Sequence, residues 1–231
     1  GNQPVSDSDH MVFDGNNSYM VIPDTSALRF VGTQQYSFII VHKPHTTHHG
    51  TLVAKFDANV TGEYILDINT NNTIMAHRET SPWYIESISS YTLNDRMISA
   101  MTYDGTTLSH YFNGKLEKSD SFGSISSNPV IFTVGARWKN GSMFAPFDGE
   151  ISEIIVFDKA LSNNERSKIN YYLSQKWSLT TIMDSDGDGY TDAEEDAFGS
   201  SPIDASSTVK VDFSTAIHNQ INNGANDLNS L

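Results

Sequence analysis

The sequence predicts an all-β fold, a two-sheet antiparallel sandwich of the jelly-roll kind, followed by one packed helix and a small cation-binding appendage. From Met11 to Phe157, short runs rich in β-branched and aromatic residues are separated by turn signals about every 8 to 12 residues, the spacing of a sandwich. Near Ser162 the hydrophobic period changes from about two to about 3.6. Acidic side chains then crowd into one stretch. Residues 184–204 carry eight of them and no Lys or Arg, whereas residues 1–183 carry 18 acidic and 13 basic groups.

Taken in order, the first ten residues are polar and are expected to be flexible, and no apolar signal segment precedes Met11, so the opening reads as the start of a mature or trimmed chain. The strands are read at Tyr19 to Ile22, Tyr36 to His42, Thr51 to Phe56, Glu63 to Ile68, Thr73 to Arg78, Arg96 to Tyr103, Thr107 to Phe112, Val130 to Gly135 and Glu150 to Phe157. Between them, Asp14-Gly15, Asp104-Gly105, Asn113-Gly114 and Asp148-Gly149 supply residues that tolerate positive φ, so they read as turns. Asn113-Gly114 is the pair favoured in a two-residue hairpin. A helix is predicted over roughly 163–178. Ser162-Asn163-Asn164-Glu165 is a capping box, and Ile169, Tyr172, Leu173, Lys176 and Trp177 form a stripe expected to pack on the sandwich. Beyond the acidic stretch, Val209 to Phe213 alternates like a short strand, Ser214 to Asn222 reads as a weak helix, and the Asn-rich end reads as a linker. The domain reading is therefore a flexible 1–10, a sandwich with its helix over 11–180, a loop repeat at 181–204 and an extension at 205–231.

Composition narrows function. The chain has 231 residues, no cysteine and a formal net charge of −14, so no disulfide framework is possible and a phosphate backbone would be repelled. Nucleic acid is not an expected partner. The longest apolar runs, Phe38 to Val41 and Ile154 to Phe157, fall far short of the roughly 20 residues of a spanning helix, so no membrane insertion is expected.

Several separated segments, in order and in register, resemble one family. Phe13-Asp14-Gly15, Tyr19-Met20-Val21-Ile22-Pro23, the run Tyr36 to Pro44, Tyr103-Asp104-Gly105, Tyr111-Phe112-Asn113-Gly114-Lys115, Thr133 to Arg137, Phe147 to Ile154, Ala160-Leu161-Ser162, Tyr172-Leu173 and Lys176-Trp177 are similar to the laminin-G-like, concanavalin A-like jelly-roll domains of bacterial extracellular proteins. The resemblance covers about three-quarters of the chain. It implies a two-sheet sandwich in a secreted or cell-surface bacterial protein, often a carbohydrate- or protein-binding module beside further domains. The scaffold also hosts glucanases and plain spacers, so function rests on the site.

The sharpest chemical signal is the acidic stretch. Asp184-Ser185-Asp186-Gly187-Asp188-Gly189-Tyr190-Thr191-Asp192-Ala193-Glu194-Glu195 satisfies D-x-[DN]-x-[DN]-G-x5-E. Ca²⁺ takes about six to eight oxygens, so it needs carboxylates on alternate residues of a curled loop and a bidentate one closing the far side. The expected ligands are Asp184, Asp186, Asp188, the Tyr190 carbonyl, Asp192 directly or through water, and Glu195. With Phe198 to Pro202 after it, the stretch also resembles one thrombospondin-type-3-like repeat, a relative of the EF-hand. Thr191 replaces the apolar residue that couples paired EF-hands and no second loop follows. The expectation is one structural Ca²⁺ rather than a sensor, against the alternative of an acidic linker.

Weaker constellations complete the reading. His42, His45, His48 and His49 lie within eight residues, in or beside a loop where a transition metal could bind, or the loop is simply polar. Asp148, Glu150 and Glu153 raise glycoside hydrolysis, but Glu150 and Glu153 are three apart and face opposite sides of a regular strand. In the family that Glu153 resembles, this acid is structural. No catalytic residue is assigned. Trp83, Tyr84, Trp138 and Phe144 sit in apparent loops, where they stack on sugar, anchor a protein interface, or fold back over the sandwich edge. Asn-x-Ser/Thr triplets start at Asn16, Asn59, Asn71 and Asn140 and matter only in a eukaryotic secretory pathway. The leading expectation is a non-catalytic binding or adhesion module for a glycan or a surface protein, with Ca²⁺ as its cofactor. A diverged glycan hydrolase and a structural spacer are the alternatives.

Overall fold

The computed structural model describes residues 2–58, 62–126 and 129–210. In chain order its strands are β1 (Val5–Asp7), β2 (His10–Asp14), β3 (Met20–Ile22), β4 (Tyr36–Pro44), β5 (Gly50–Lys55), β6 (Tyr64–Ile68), β7 (Ile74–Arg78) and β8 (Tyr84–Glu86). They continue with β9 (Met97–Tyr103), β10 (Thr107–Phe112), β11 (Lys115–Ser121), β12 (Phe132–Val134), β13 (Arg137–Lys139), β14 (Ser142–Phe144) and β15 (Asp148–Phe157). Helices α1 (Asn163–Lys176) and α2 (Asp192–Phe198) follow. The expected two-sheet antiparallel sandwich is present. A seven-stranded sheet runs β1-β2-β15-β4-β9-β10-β11, a six-stranded sheet runs β3-β12-β5-β6-β7-β8, and β13-β14 is a separate ribbon.

Why the sheets face each other follows from the pleat, which sends alternate side chains to opposite faces. Phe38 and Ile40 of β4, Met97 and Met101 of β9, Tyr64, Leu66 and Ile68 of β6, and Ile74 and Ala76 of β7 meet in one buried cluster between the sheets. The opposite faces of the same strands differ. Ile39 and Val41 of β4 and Ile98 and Ala100 of β9 pack instead with Leu173 of α1 and with Leu179 and Met183 beyond it. The helix thus closes the outer side of the seven-stranded sheet, which makes its central strands buried on both faces and their sequences nearly continuous in apolar residues.

Two turns behave as their sequences require. Asn113 and Gly114, both at positive φ, join β10 to β11, and the loop Asp104 to Thr106 joins β9 to β10. Four expectations are corrected. Asp148-Gly149 is not a turn but the start of β15, where Gly149 lies against the Lys43 carbonyl and the Phe147 ring and leaves no room for a side chain. Part of the N-terminal decapeptide is ordered into β1, whose Val5, Ser6 and Asp7 pair with Val12, Met11 and His10. Strands β8, β13 and β14 are also present where loops were read, and β11 is the strand that the Asn113-Gly114 hairpin implies. Finally, α1 has the predicted capping box, and Ile169, Leu173 and Trp177 of the predicted stripe pack on the sandwich, but Tyr172 does not and most of the fully buried positions are polar. Tyr172 is exposed, Lys176 is exposed, and the buried side chains are Arg166, Ser167, Asn170, Leu173 and Ser174. The buried face is largely polar because part of what it meets is polar, as shown below. Of the expected strand Val209 to Phe213, Val209 and Lys210 are described and are irregular; the remainder and the expected helix Ser214 to Asn222 lie outside the described residues.

The stretch 181–204 is packed onto the sandwich rather than trailing from it. The Asp184 amide donates to the Asn113 carbonyl at 3.1 Å, and a Cβ on Gly114 would run into the Asp184 carbonyl. Glycine is needed there for this close approach as well as for the turn.

Candidate functional site

Two places in the fold combine buried charge with access. The first is the acidic loop. Met183 is fully buried and anchors its start, and α2 closes it, with Thr191 as N-cap in a second capping box with Glu194 and Gly199 as a left-handed C-cap. Within the loop, Asp184 Oδ1 and Oδ2 accept from the Gly187 and Gly189 amides at 2.8 and 2.9 Å, Asp186 Oδ1 from the Asp188 amide at 3.2 Å, and Asp188 Oδ1 from the Tyr190 amide at 2.9 Å. These bonds curl the loop and aim the remaining oxygens inward. The carboxylates of Asp184, Asp186 and Asp188 each bring one oxygen within 4.8 Å of the others, the single such cluster of potential metal ligands among the described residues.

What remains unmatched is informative. Asp186 Oδ2, Asp188 Oδ2 and both oxygens of Glu195 are buried without a hydrogen-bond partner, and Glu195 is completely buried. Burial, with the neighbouring carboxylates adding to it, pushes Asp186 up to about 6 and Glu195 up to about 7. Lys115, on the hairpin, is the nearest cation, 3.6 Å from Asp184 Oδ2 and half exposed. Buried carboxylates without partners are expensive unless a cation meets them. The donor set, hard oxygens only, fits Ca²⁺. Tyr190 lies where its carbonyl belongs in such a loop, with its amide tied to Asp188. Asp192 differs from the others: its Oδ1 accepts from the Ser185 amide at 2.9 Å, and its Oδ2 accepts from the Ser185 hydroxyl at 2.9 Å and from the Ser174 hydroxyl.

The second place is a shelf on the outer face of the six-stranded sheet, where the β13-β14 ribbon lies across it. Asp67 of β6 is fully buried there. Its Oδ2 receives His49 Nε2 at 2.9 Å, lies 3.5 Å from His77 Nε2, and is paired with Arg137, while Oδ1 has no partner. Burial alone would raise this carboxyl, but the Arg137 charge and the His49 bond outweigh it and hold the value below the ordinary one. The same burial lowers His77 to about 4. Tyr84 stacks on His77 with ring centres 5.2 Å apart, and Phe144 meets His49 edge-on at 5.8 Å and carries Arg137 and Lys139 over its ring. Two aromatic rings thus flank one buried charged cluster, and Tyr84 and its neighbour Trp83 are 46% and 55% exposed, a level rare for rings in a packed core.

Of the four aromatic candidates, the fold brings Tyr84 and Phe144 together, with Trp83 beside Tyr84 in sequence. Trp138 goes elsewhere: it stands edge-on to Tyr19 at 5.8 Å and bridges to Asp57, covering the sandwich edge. The residues missed in the sequence were Asp67, His77 and Arg137. A usable signal existed, since Asp67 interrupts the otherwise apolar run Tyr64 to Ile68, where a charge must be paired.

The remaining candidates separate. His42 is in the core, its Nε2 2.8 Å from Ser99 Oγ, while His45 reaches Glu150 at 3.3 Å, His49 serves Asp67 and His48 is exposed. They do not form one site. Glu150 is encircled by Lys43 at 3.0 Å, His45 at 3.3 Å, and His10 and Arg96 at 3.6 Å, which lower its carboxyl against the effect of burial. Glu153 accepts from Lys176 Nζ and Trp177 Nε1, each at 2.9 Å, and so fastens α1 to the sheet. A general acid needs a raised carboxyl, and that of Glu150 is lowered, while Glu153 is taken up in fastening the helix.

A family model described as the concanavalin A-like lectin/glucanases superfamily matches residues 14–165. Among solved structures, the chain is similar to a leech intramolecular trans-sialidase, with 18% identity and a TM-score of 0.57 over 68% of this chain and 26% of that one. It is similar also to the CBM40 module of the Ruminococcus gnavus IT-sialidase, solved with α2,3 sialyllactose, at 16% identity and a TM-score of 0.53 over 71% of this chain and 94% of that one. A third is the binding domain of Paraclostridial mosquitocidal protein 1, at 15% identity and a TM-score of 0.55 over 76% and 46%. At such identities the likeness is one of fold. The chain spans well under half the length of the leech enzyme and about half of the toxin domain's chain. No curated protein matches the sequence.

Proposed function

Since this chain belongs to the concanavalin A-like lectin/glucanases superfamily, we propose that it is a non-catalytic glycan-binding module, stiffened by a structural Ca²⁺ and working outside the cell or at its surface. The observation that carries the reading is the shelf: an exposed Tyr84 and a half-buried Phe144 either side of the Asp67-Arg137-His49 cluster. Sugars are read by aromatic rings that take the apolar face of the pyranose and by fixed polar groups that take its hydroxyls, and Asp67, itself inaccessible, fixes the partly exposed His49 and Arg137 for that role. The CBM40 fold neighbour, solved with α2,3 sialyllactose, and a Bacteroides ovatus fold neighbour described as a carbohydrate binding protein support the same class. The surroundings of Glu150 and Glu153 argue against the hydrolase alternative, because Glu150 is held charged by the cations around it and Glu153 is occupied by Lys176 and Trp177.

The test is a glycan array followed by titration calorimetry on the best hit. Tyr84→Ala and Arg137→Ala are expected to weaken binding by about tenfold or more each, equivalent to ~1.4 kcal/mol. Trp138→Ala, on the far side of the ribbon, should change it little. An array without hits, or a hit that survives both shelf substitutions, defeats the assignment. No described helix is long and apolar enough to cross a membrane.

In this reading Ca²⁺ sits in the loop formed by Asp184, Asp186, Asp188, the Tyr190 carbonyl and Glu195. Its contribution is to neutralise carboxylates that are otherwise buried against each other.

A further inference from the structure

We infer that Asp192 is a positioning residue rather than a cation ligand, pinning the loop to α1 so that cation occupancy and the docking of α1 on the seven-stranded sheet form one equilibrium. This rests on the Ca²⁺ reading of the loop.

The geometry begins with the polar underside of α1. A helix of this length holds in place chiefly by its packed apolar face. Here Leu173 is the single fully buried apolar side chain of α1, with Ile169 only partly buried. The rest of the buried face is hydrogen-bonding. Ser174 donates to Asp192 Oδ2, and Asn170 Nδ2 donates to the Ser185 carbonyl at 3.2 Å. Tyr171 adds a contact from its hydroxyl to Asp196 at 3.2 Å. Ser174, Ser185 and Asp192 are all essentially inaccessible to water, and both Asp192 oxygens are occupied by the two serines. Its carboxylate therefore faces α1 and the loop backbone, unlike those of Asp186, Asp188 and Glu195, each of which keeps an unmatched oxygen.

The consequence runs in both directions. With the cation bound, the loop holds Ser185 and Asp192 where Ser174 and Asn170 can reach them. Without it, the crowded carboxylates of Asp184, Asp186, Asp188 and Glu195 repel and the loop loosens. Asn170 is then left buried and unpaired and Ser174 keeps only its own helix's Tyr171 carbonyl, at 3.0 Å, so the bonds that fasten α1 to the loop are lost, which favours local detachment of α1. The Asn113-Gly114 turn, against which Asp184 rests, holds the opposite side of the loop.

Hydrogen exchange over residues 163–176, with and without Ca²⁺, tests this, with Ca²⁺ affinity measured in parallel by calorimetry on the full chain. In the unsubstituted protein, saturating Ca²⁺ should slow exchange in α1 by about tenfold or more. Asp192→Asn and Ser174→Ala should keep Ca²⁺ affinity to within about tenfold while removing at least about half of that slowing on a logarithmic scale. Ser174→Ala deletes one hydroxyl and keeps the helix former, so it reports even where Asp192→Asn folds poorly. Loss of Ca²⁺ affinity beyond tenfold in Asp192→Asn would make the residue a ligand and overturn the inference. Undiminished slowing in Ser174→Ala would overturn the coupling. If the unsubstituted protein binds no Ca²⁺, the calcium reading itself fails and takes this one with it, and only that arm produces this outcome.

Discussion

His42 and His110 are enclosed between the two sheets, each with no accessible surface, and His110 has neither ring nitrogen paired. Burial drives both down to about 3, with His110 adding to the effect on His42. Because these values lie below the ordinary 6.5, the unfolded chain takes up protons that the folded chain refuses. Their contribution is fully present above pH 6.5 and is lost as pH falls toward 3. One pH unit below 6.5 the two together should cost about 2 to 3 kcal/mol, a sizeable part of a typical 5 to 15. Asp186 and Glu195, raised in the folded chain, act in the opposite direction over the same range, so the comparison is between proteins: from pH 7 to 5 the urea midpoint should change less favourably in the unsubstituted protein than in His110→Gln, even though that protein starts less stable. Parallel profiles for the two proteins would refute the idea. Neither histidine could be placed from the sequence, since a polar residue in a strand reads as outward-facing, and only the register, His42 opposite Met97 and His110 opposite Met101, turns them inward.

Among the elements, α1 shows how far local rules carry. Its start is written in the chain, and Ser162 receives the Glu165 amide while Glu165 reaches back to the Ser162 amide at 3.0 Å. Ser162→Ala should therefore destabilise the fold by ~1 kcal/mol, read as a lowered urea midpoint with unchanged slope. Ile169, Leu173 and Trp177 were legible on its buried face, but Asn170 and Ser174 were not, because helical periodicity registers apolar partners and this side of the helix meets a loop of serine and aspartate. The strands divide in the same way. The central β4 and β9 carry runs of large apolar side chains and were found almost to the residue. The edge strands β1 and β11 are short or charged, with Lys115, Glu117, Lys118 and Asp120 in β11; β11 is signalled by the turn before it and β1 by nothing but its pairing. The inward-turned carboxylates of the acidic loop were legible because they lie within twelve residues, but the turn of Asp192 toward Ser174 was not, since that partner lies on α1. The shelf was not, since Asp67, His49, His77, Tyr84, Arg137 and Phe144 come from five separate segments.

For the whole molecule, the loop's attachment to both α1 and the β10-β11 turn means that a ligand bound there should stabilise the sandwich and not only itself. Ca²⁺ at about 100 times its Kd is expected to add ~2.7 kcal/mol, and thus to raise the melting temperature of a chain this size by roughly 5 to 10 °C, reversed by EDTA. A melt indifferent to EDTA would exclude the cation reading. The fold's outline also carries a colloidal consequence at its opposite rim. Strand β3 ends the six-stranded sheet with Met20, Val21 and Ile22, all exposed and uncharged, whereas β11 ends the other sheet with alternating charge. An edge of that kind accepts another chain's backbone as readily as its own neighbour's. On concentration or gentle heating, clumping should begin at this strip, and Val21→Lys should slow the rise in light scattering several-fold while leaving the melting temperature within a few degrees. The shelf life of the purified protein would then be set by three residues that belong neither to the shelf nor to the acidic loop.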